Sequence, residues 1–178
     1  MIGKIYNILK KMYPEEYNNY KNNDWWPGTD FEICISAILT QNTNWKNVKK
    51  ALNNLRKNKI NTPKKIENLS HKKLEELIKP SGFFRQKAKY IKNFCNFILS
   101  FNSFDGFQNK VKRENLLKVT GIGKETADSI LLYGCNKKHF VVDAYTKRIF
   151  KRLGVISTGN YEKIKQMFEE RVKNKKDY

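Results

Sequence analysis

Paired cysteines, long apolar runs and alternating strand patterns are all scarce in this sequence, and each scarcity removes a class of protein. Three cysteines occur in 178 residues, at Cys34, Cys95 and Cys135. None stands at a C-x-x-C or similar spacing, so there is no evident zinc or iron–sulfur ligand set and no disulfide framework. In their apolar surroundings they read as small buried residues of a reducing compartment. No stretch is apolar enough to span a bilayer, and the first residues lack the apolar core and cleavage site of a signal peptide. A cytoplasmic protein without a membrane partner is expected. Phe140-Val141-Val142 is the one short β-like run, and there is neither an internal repeat nor a low-complexity linker.

Acidic residues are the other shortage. Lys and Arg number 36 against 17 Asp and Glu, a formal charge of +19. The pI is about 9.8. An AT-rich gene would inflate the lysine count but would not deplete acids, so a polyanion, nucleic acid first, is the favoured partner. Hydrophobic residues make up 39%, with 11 Phe and 9 Tyr, enough to build a core under a heavily charged surface. The length suits one generous domain or two small lobes.

What is present is helical periodicity. Ile2, Ile5, Ile8, Leu9 and Met12 recur at three- and four-residue steps and predict an amphipathic helix ended by Pro14. Trp25-Trp26-Pro27-Gly28 reads as a loop. Phe31, Cys34, Ile35, Ile38 and Leu39 share one helical face; Val48, Ala51, Leu52 and Leu55 share another. Thr62-Pro63 opens a helix, Ser70 caps the next one up to Pro80, and a helix over about Phe84–Phe101 turns Ala88, Ile91, Phe94, Cys95 and Ile98 inward. The predicted fold class is all-α.

The densest pattern is Leu116-Leu117-Lys118-Val119-Thr120-Gly121-Ile122-Gly123-Lys124-Glu125-Thr126-Ala127-Asp128. A short helix meets a turn on Gly121 and Gly123, and a second helix leaves it. Glycines there allow positive φ and close backbone approach. N–H groups at the start of the second helix then form a phosphate cradle. Ile122 pins the turn to the core. Further on, Phe140-Val141-Val142-Asp143 leads into Ala144-Tyr145-Thr146-Lys147-Arg148, an aspartate opening a basic amphipathic helix.

These elements, the hairpin at Val119–Gly123, the Ala127-Asp128 step and Val142-Asp143, resemble the helix-hairpin-helix (HhH-GPD) glycosylase superfamily, which includes endonuclease III. The resemblance runs from about Trp25 to Gly154 within a single domain over 1–178. It implies two helical lobes around a DNA-binding cleft, acting as a monomer on double-stranded DNA that carries a damaged base, at the nucleoid of a prokaryote. It places the catalytic aspartate on Asp143; Asp is also a favoured N-cap, and the hairpin tips the balance toward catalysis. Members that also cut the backbone carry a Schiff-base lysine where this chain has Glu125. Lys124 lies one residue, about 100° of helix, away. A carboxylate cannot form a Schiff base, so water is the expected nucleophile and the enzyme is monofunctional.

The tryptophan loop, the Gln41-Asn42-Thr43 turn and the Gly121–Glu125 stretch most resemble the 3-methyladenine DNA glycosylase III branch. That implies a base pocket of Trp25, Trp26, Pro27 and Trp45, with Gln41 as the wedge filling the gap left by a flipped nucleotide. DNA contacts fall on Val119, Gly121, Gly123, Lys124, Glu125 and Gln41. The resemblance implies no iron–sulfur cluster and allows a monovalent cation at the hairpin. Stacked aromatics favour a cationic alkylated purine. A uracil or thymine mismatch glycosylase, an endonuclease III-like lyase and a non-catalytic DNA-binding module remain open alternatives.

Overall fold

Capping chemistry sets where the helices start. The structure is a computed structural model that describes residues 2–21, 28–157 and 159–171. Its helices are α1 Ile2–Met12, α2 Pro14–Lys21, α3 Asp30–Leu39, α4 Trp45–Lys57, α5 Pro63–Asn68 and α6 His71–Ile78. They continue as α7 Phe84–Leu99, α8 Phe104–Lys110, α9 Arg113–Leu116, α10 Lys124–Ser129, α11 Ala144–Arg152 and α12 Tyr161–Glu169. Side-chain oxygens of Thr29, Asn44, Thr62, Ser70, Ser103, Asp143 and Asn160 accept backbone N–H groups of the turns they open, each cap worth about 0.5–2 kcal/mol. Among the described residues there is no β-strand. The all-α expectation holds.

The chain divides into two compact units, Thr29–Asn136 and a second made of Met1–Gly28 with Lys137–Tyr178. In the continuous unit, α3 is buried around most of its girth: Phe31, Glu32, Ile33, Cys34, Ile35, Ser36, Ile38 and Leu39 are all buried. One buried face was expected. The polar residues on the remaining faces bring partners with them, which is why they can be covered. Ser36 donates to Ile33 O at 2.7 Å. Glu32 accepts Thr29 N–H and the Nε and Nη2 of Arg56. Burial alone would push the Glu32 carboxyl up, but the Arg56 guanidinium and the Thr29 N–H more than offset this and hold it below the usual range. Cys34 and Cys95, buried nearby, have thiols pushed up chiefly by desolvation. Helix α7 runs to Leu99, slightly short of expectation, and buries Ala88, Ile91, Phe94, Cys95 and Ile98 as its pattern required.

In the other unit, Ile2, Val142, Ile156, Ile164 and Phe168 form the buried cluster. Phe140 stacks on Phe168 at 4.2 Å. Phe140-Val141-Val142 is no strand. A lone strand lacks a ladder, and α12 supplies side-chain partners instead: Phe140 N–H donates to Glu169 Oε1 at 2.9 Å and Val142 N–H to the Tyr161 hydroxyl at 3.3 Å. Lys165 Nζ reaches both Phe140 O and Glu169. Helix α1 forms as predicted, and Pro14, besides ending it, begins α2. Its apolar stripe is mostly uncovered, since Ile8, Leu9 and Met12 are exposed. Tyr145 and Ile149 of α11 and its C-cap Leu153 are exposed too, and the helix is held by the partly buried Phe150, which meets Phe168 edge-on at 4.7 Å.

Candidate functional site: the hairpin, the Gln41 turn and Asp143

The hairpin is held at its base by an ion pair between its two helices. Arg113 Nε and Nη2 of α9 donate to the two carboxylate oxygens of Asp128 in α10, at 2.8 and 3.0 Å, and Asp128 is fully buried. A two-pronged guanidinium–carboxylate contact fixes orientation as well as distance. Between the helices, Val119 N–H donates to Leu116 O and Ile122 N–H to Val119 O. Ile122 is buried, as expected. Past Ser129 the chain widens into a π-helical turn, Ile130–Gly134, which packs on α3.

The two glycines differ. Gly121 has φ +97°, and a Cβ there would come 2.1 Å from Cγ of Tyr90 in α7. Nothing but glycine fits. Gly123 has φ −85°, and a Cβ built on it meets nothing within 4 Å. The expected need for positive φ is therefore corrected at Gly123: no torsion of the folded chain demands glycine, and what its missing side chain leaves is open space before the first turn of α10. Lys124 and Glu125 are exposed in that turn.

Gln41 meets this hairpin. It follows the Thr40 cap of α3, in a turn where Asn42 is left-handed at φ 50°. Its Nε2 donates to Gly121 O at 3.0 Å and contacts Thr126 Oγ1 at 3.1 Å. The same turn is tied to a second one. The Thr43 hydroxyl donates to Ser81 O. Two residues on, Phe83 is left-handed at φ 45° and 66% exposed, a costly backbone for a bulky residue. Under both turns lies Lys87, 2% exposed. Trp45 opens α4 just past the Asn44 cap and is 41% exposed, so it is no core tryptophan.

Asp143 lies in the other unit. It is the N-cap of α11: its Oδ1 accepts Thr146 N–H at 2.7 Å, and the helix points the positive end of its dipole at the carboxylate. The backbone leading to it is the segment tied down by Glu169, Tyr161 and Lys165. Trp25, Trp26 and Pro27 lie outside the described residues. Among the described residues no group of three or more His, Cys, Asp or Glu could hold a metal ion, and no helix is long and apolar enough to cross a membrane.

A family model for HhH-GPD superfamily base excision DNA repair proteins matches residues 35–174. The chain belongs to that superfamily. It is 46% identical over 180 residues to a protein of Methanocaldococcus jannaschii provisionally named a DNA repair glycosylase, covering 96% of this chain and 78% of the relative. Endonuclease III of Thermotoga maritima is 30% identical over 172 residues, covering 96% and 74%. Among solved structures, a 3-methyladenine DNA glycosylase of H. pylori bound to 1,N6-ethenoadenine matches with TM-score 0.78 and 40% identity, covering 88% of this chain and 80% of that one. A non-covalent endonuclease III–DNA complex matches with TM-score 0.79, covering 99% and 78%; at 22% identity it speaks for the fold alone. This HhH-GPD protein is thus a DNA glycosylase, an enzyme of base excision repair whose partner is damaged DNA.

Of the residues singled out in sequence, the structure brings Gln41, Gly121 and the start of α10 together, with Thr126 as a shared contact. Phe83, Lys87 and the Arg113–Asp128 pair were missed. Lys87 left a trace: it continues the Ile91, Phe94 and Ile98 stripe, a lysine at a core position. Phe83 left none, because neither exposure nor a left-handed backbone is written in a Phe-Phe pair.

Proposed function

We propose that this glycosylase is monofunctional, hydrolysing the N-glycosidic bond of a flipped alkylated purine, with 3-methyladenine the first candidate. Residues 1–178 are taken as one HhH-GPD domain acting as a monomer in the cytoplasm, on nucleoid DNA; the family match across both units supports that. The observation that carries the reaction type is Glu125. It stands exposed in the first turn of α10, where a lyase would present an amine, and a carboxylate cannot become a Schiff base.

Asp143 is the proposed catalytic group. As the glycosidic bond lengthens, positive charge builds on the sugar, and an ionised carboxylate stabilises it and orients the attacking water. Val119, Gly121, Gly123 and the Lys124 and Glu125 N–H groups take the DNA backbone at the hairpin, where Gly123 leaves space. Gln41 fills the gap left by the nucleotide, and Phe83 offers an exposed ring beside it for stacking. The base pocket is proposed to draw on Trp45 and, as the family resemblance implies, on Trp25, Trp26 and Pro27. Stacking on a cationic purine is worth about 0.5–2 kcal/mol per contact, and such a base leaves without acid help. The likeness to the H. pylori enzyme supports an adenine-derived substrate. No iron–sulfur cluster is invoked. As for a monovalent cation at the hairpin, two of its carbonyls already have internal donors, Val119 O from Ile122 N–H and Gly121 O from the Gln41 amide.

The test is a panel of duplexes with single lesions scored for free base, using the protein and Asp143→Asn. Asparagine is as good an N-cap as aspartate, so the variant keeps α11 and loses the charge; excision should fall 10²–10⁴-fold with DNA affinity retained. More than about a hundredth of the activity remaining would remove Asp143 from the chemistry. The endonuclease III relative favours a second reading, a lyase using a lysine such as Lys124. Borohydride decides: a trapped covalent adduct would establish the lyase, and its absence beside rapid base release the hydrolase. Release of uracil or thymine but not of alkylated purine would overturn the pocket assignment and leave the glycosylase.

A further inference from the structure

Lys87 is a cation in the core, 2% exposed, and among the described residues no carboxylate is paired with its ammonium. Its Nζ lies 2.8 Å from Leu39 O, 2.9 Å from Thr43 Oγ1 and 2.7 Å from Ser81 O. An ammonium has three N–H donors, and each has one acceptor here, all of them neutral oxygens. Burying a charge against neutral partners is costly, and residues of this kind are kept where geometry demands them. Desolvation lowers this ammonium from the ordinary lysine value to about 8.

The three acceptors come from separate stretches. Leu39 ends α3, two residues before Gln41. Thr43 closes the Gln41 turn. Ser81 precedes Gly82 and the left-handed Phe83. Thr43 also donates to Ser81 O, so that carbonyl is shared by lysine and threonine. The two turns are 38 residues apart in sequence. One ammonium therefore sits at the junction of the turn bearing Gln41 and the turn bearing Phe83.

We propose that Lys87 is a positioning residue for base flipping: its ammonium fixes the spacing between the Gln41 turn and the Phe83 turn, so that the two side chains enter the duplex as one rigid unit. This rests on the proposed function, in which Gln41 and Phe83 occupy the helix beside the extruded nucleotide. Filling that gap compensates for lost stacking and pairing, and two side chains on independently mobile turns would lose that benefit to the entropy of ordering them. Methionine at 87 would fill similar volume and leave the three oxygens without their donor. Arginine would keep the charge in a planar fork that does not match three converging acceptors.

The experiment uses a duplex in which 2-aminopurine faces a tetrahydrofuran abasic analogue, so that insertion is read by fluorescence without any excision. Affinity is measured for this duplex and for the same duplex without the gap. Lys87→Met should lower the preference for the gapped duplex on the order of tenfold and quench the fluorescence rise, while binding to intact duplex stays within about twofold, because phosphate contacts at the hairpin are untouched. Lys87→Arg should fall between. Thr43→Val keeps the lysine and removes the hydroxyl that joins the two turns and accepts from the ammonium; it should reproduce part of the loss even if Lys87→Met unfolds. Thermal melts establish folding. Equal losses on both duplexes, or an unchanged preference in folded Lys87→Met or Thr43→Val, would overturn the proposal. Gln41→Ala and Phe83→Ala separate the two layers. If both keep the full preference, the insertion reading falls and the Lys87 role with it. If they lose it and the Lys87 and Thr43 variants do not, only the Lys87 role falls.

Discussion

A buried lysine held by neutral oxygens leaves a signature in the pH dependence of stability. Folding lowers the Lys87 ammonium from the ordinary lysine value of 10.5 to about 8, so the folded chain releases this proton first. Between those two values the unfolded chain binds more protons than the folded one, and stability from this group rises with pH; below about 8 both forms are protonated and the full cost of burying the charge is present. The melting temperature of the native protein, measured against Lys87→Met so that other titrating groups cancel, should therefore gain between pH 8 and 10. Each kcal/mol corresponds to about 2–4 °C for a chain of this size. A constant difference across that range would mean that Lys87 keeps its proton.

At the scale of elements, the hairpin separates two kinds of glycine. Gly121→Ala should destabilise the protein, since the added Cβ would strike the Tyr90 ring and the backbone sits at φ +97°; a loss above about 2 kcal/mol is expected for combined strain and overpacking. Gly123→Ala should leave stability within about 0.5 kcal/mol, yet weaken DNA binding if a phosphate approaches where the Cβ would stand. Loss of affinity without loss of stability is the outcome that assigns Gly123 to the ligand; unchanged affinity would make the hairpin a connection only. Asp128→Ala should cost about 3–5 kcal/mol in denaturant unfolding, because it removes the buried carboxylate from its two-pronged pair with Arg113. The hairpin and Asp143 were readable because each rests on a short local pattern of glycine and aspartate. Helices α4 to α7 were readable from caps and stripes. Gly121 and Gly123 look alike in sequence because φ is set by tertiary packing against Tyr90. Helices α1 and α11 were read as amphipathic, yet Ile8, Leu9, Met12, Tyr145 and Ile149 are exposed, since periodicity tells that a face is apolar and not whether anything covers it. The burial of Glu32 in α3 depended on Arg56, a residue distant in sequence.

For the whole molecule, the formal charge of +19 and the proposed phosphate contacts at the hairpin set the terms of DNA binding. Affinity for undamaged duplex should be nearly independent of sequence and fall steeply with salt, the logarithmic slope being about −0.9 per phosphate neutralised. Removing Lys124 as Lys124→Ala should flatten that slope by about one; an unaltered slope would take Lys124 off the DNA path. The two-unit organisation has a consequence for biosynthesis. The hairpin unit, Thr29–Asn136, is continuous, and it is complete on the ribosome before Asp143 has been made. The core beneath Asp143 joins Ile2 to Ile164 and Phe168, so Ile2 must wait for partners made only after the hairpin unit is complete. Vectorial synthesis folds continuous units first. The nascent enzyme should thus acquire its grip on nucleic acid before its capacity to break a bond, and pulse-labelled amide exchange should show protection in α3 and α7 ahead of α1 and α12.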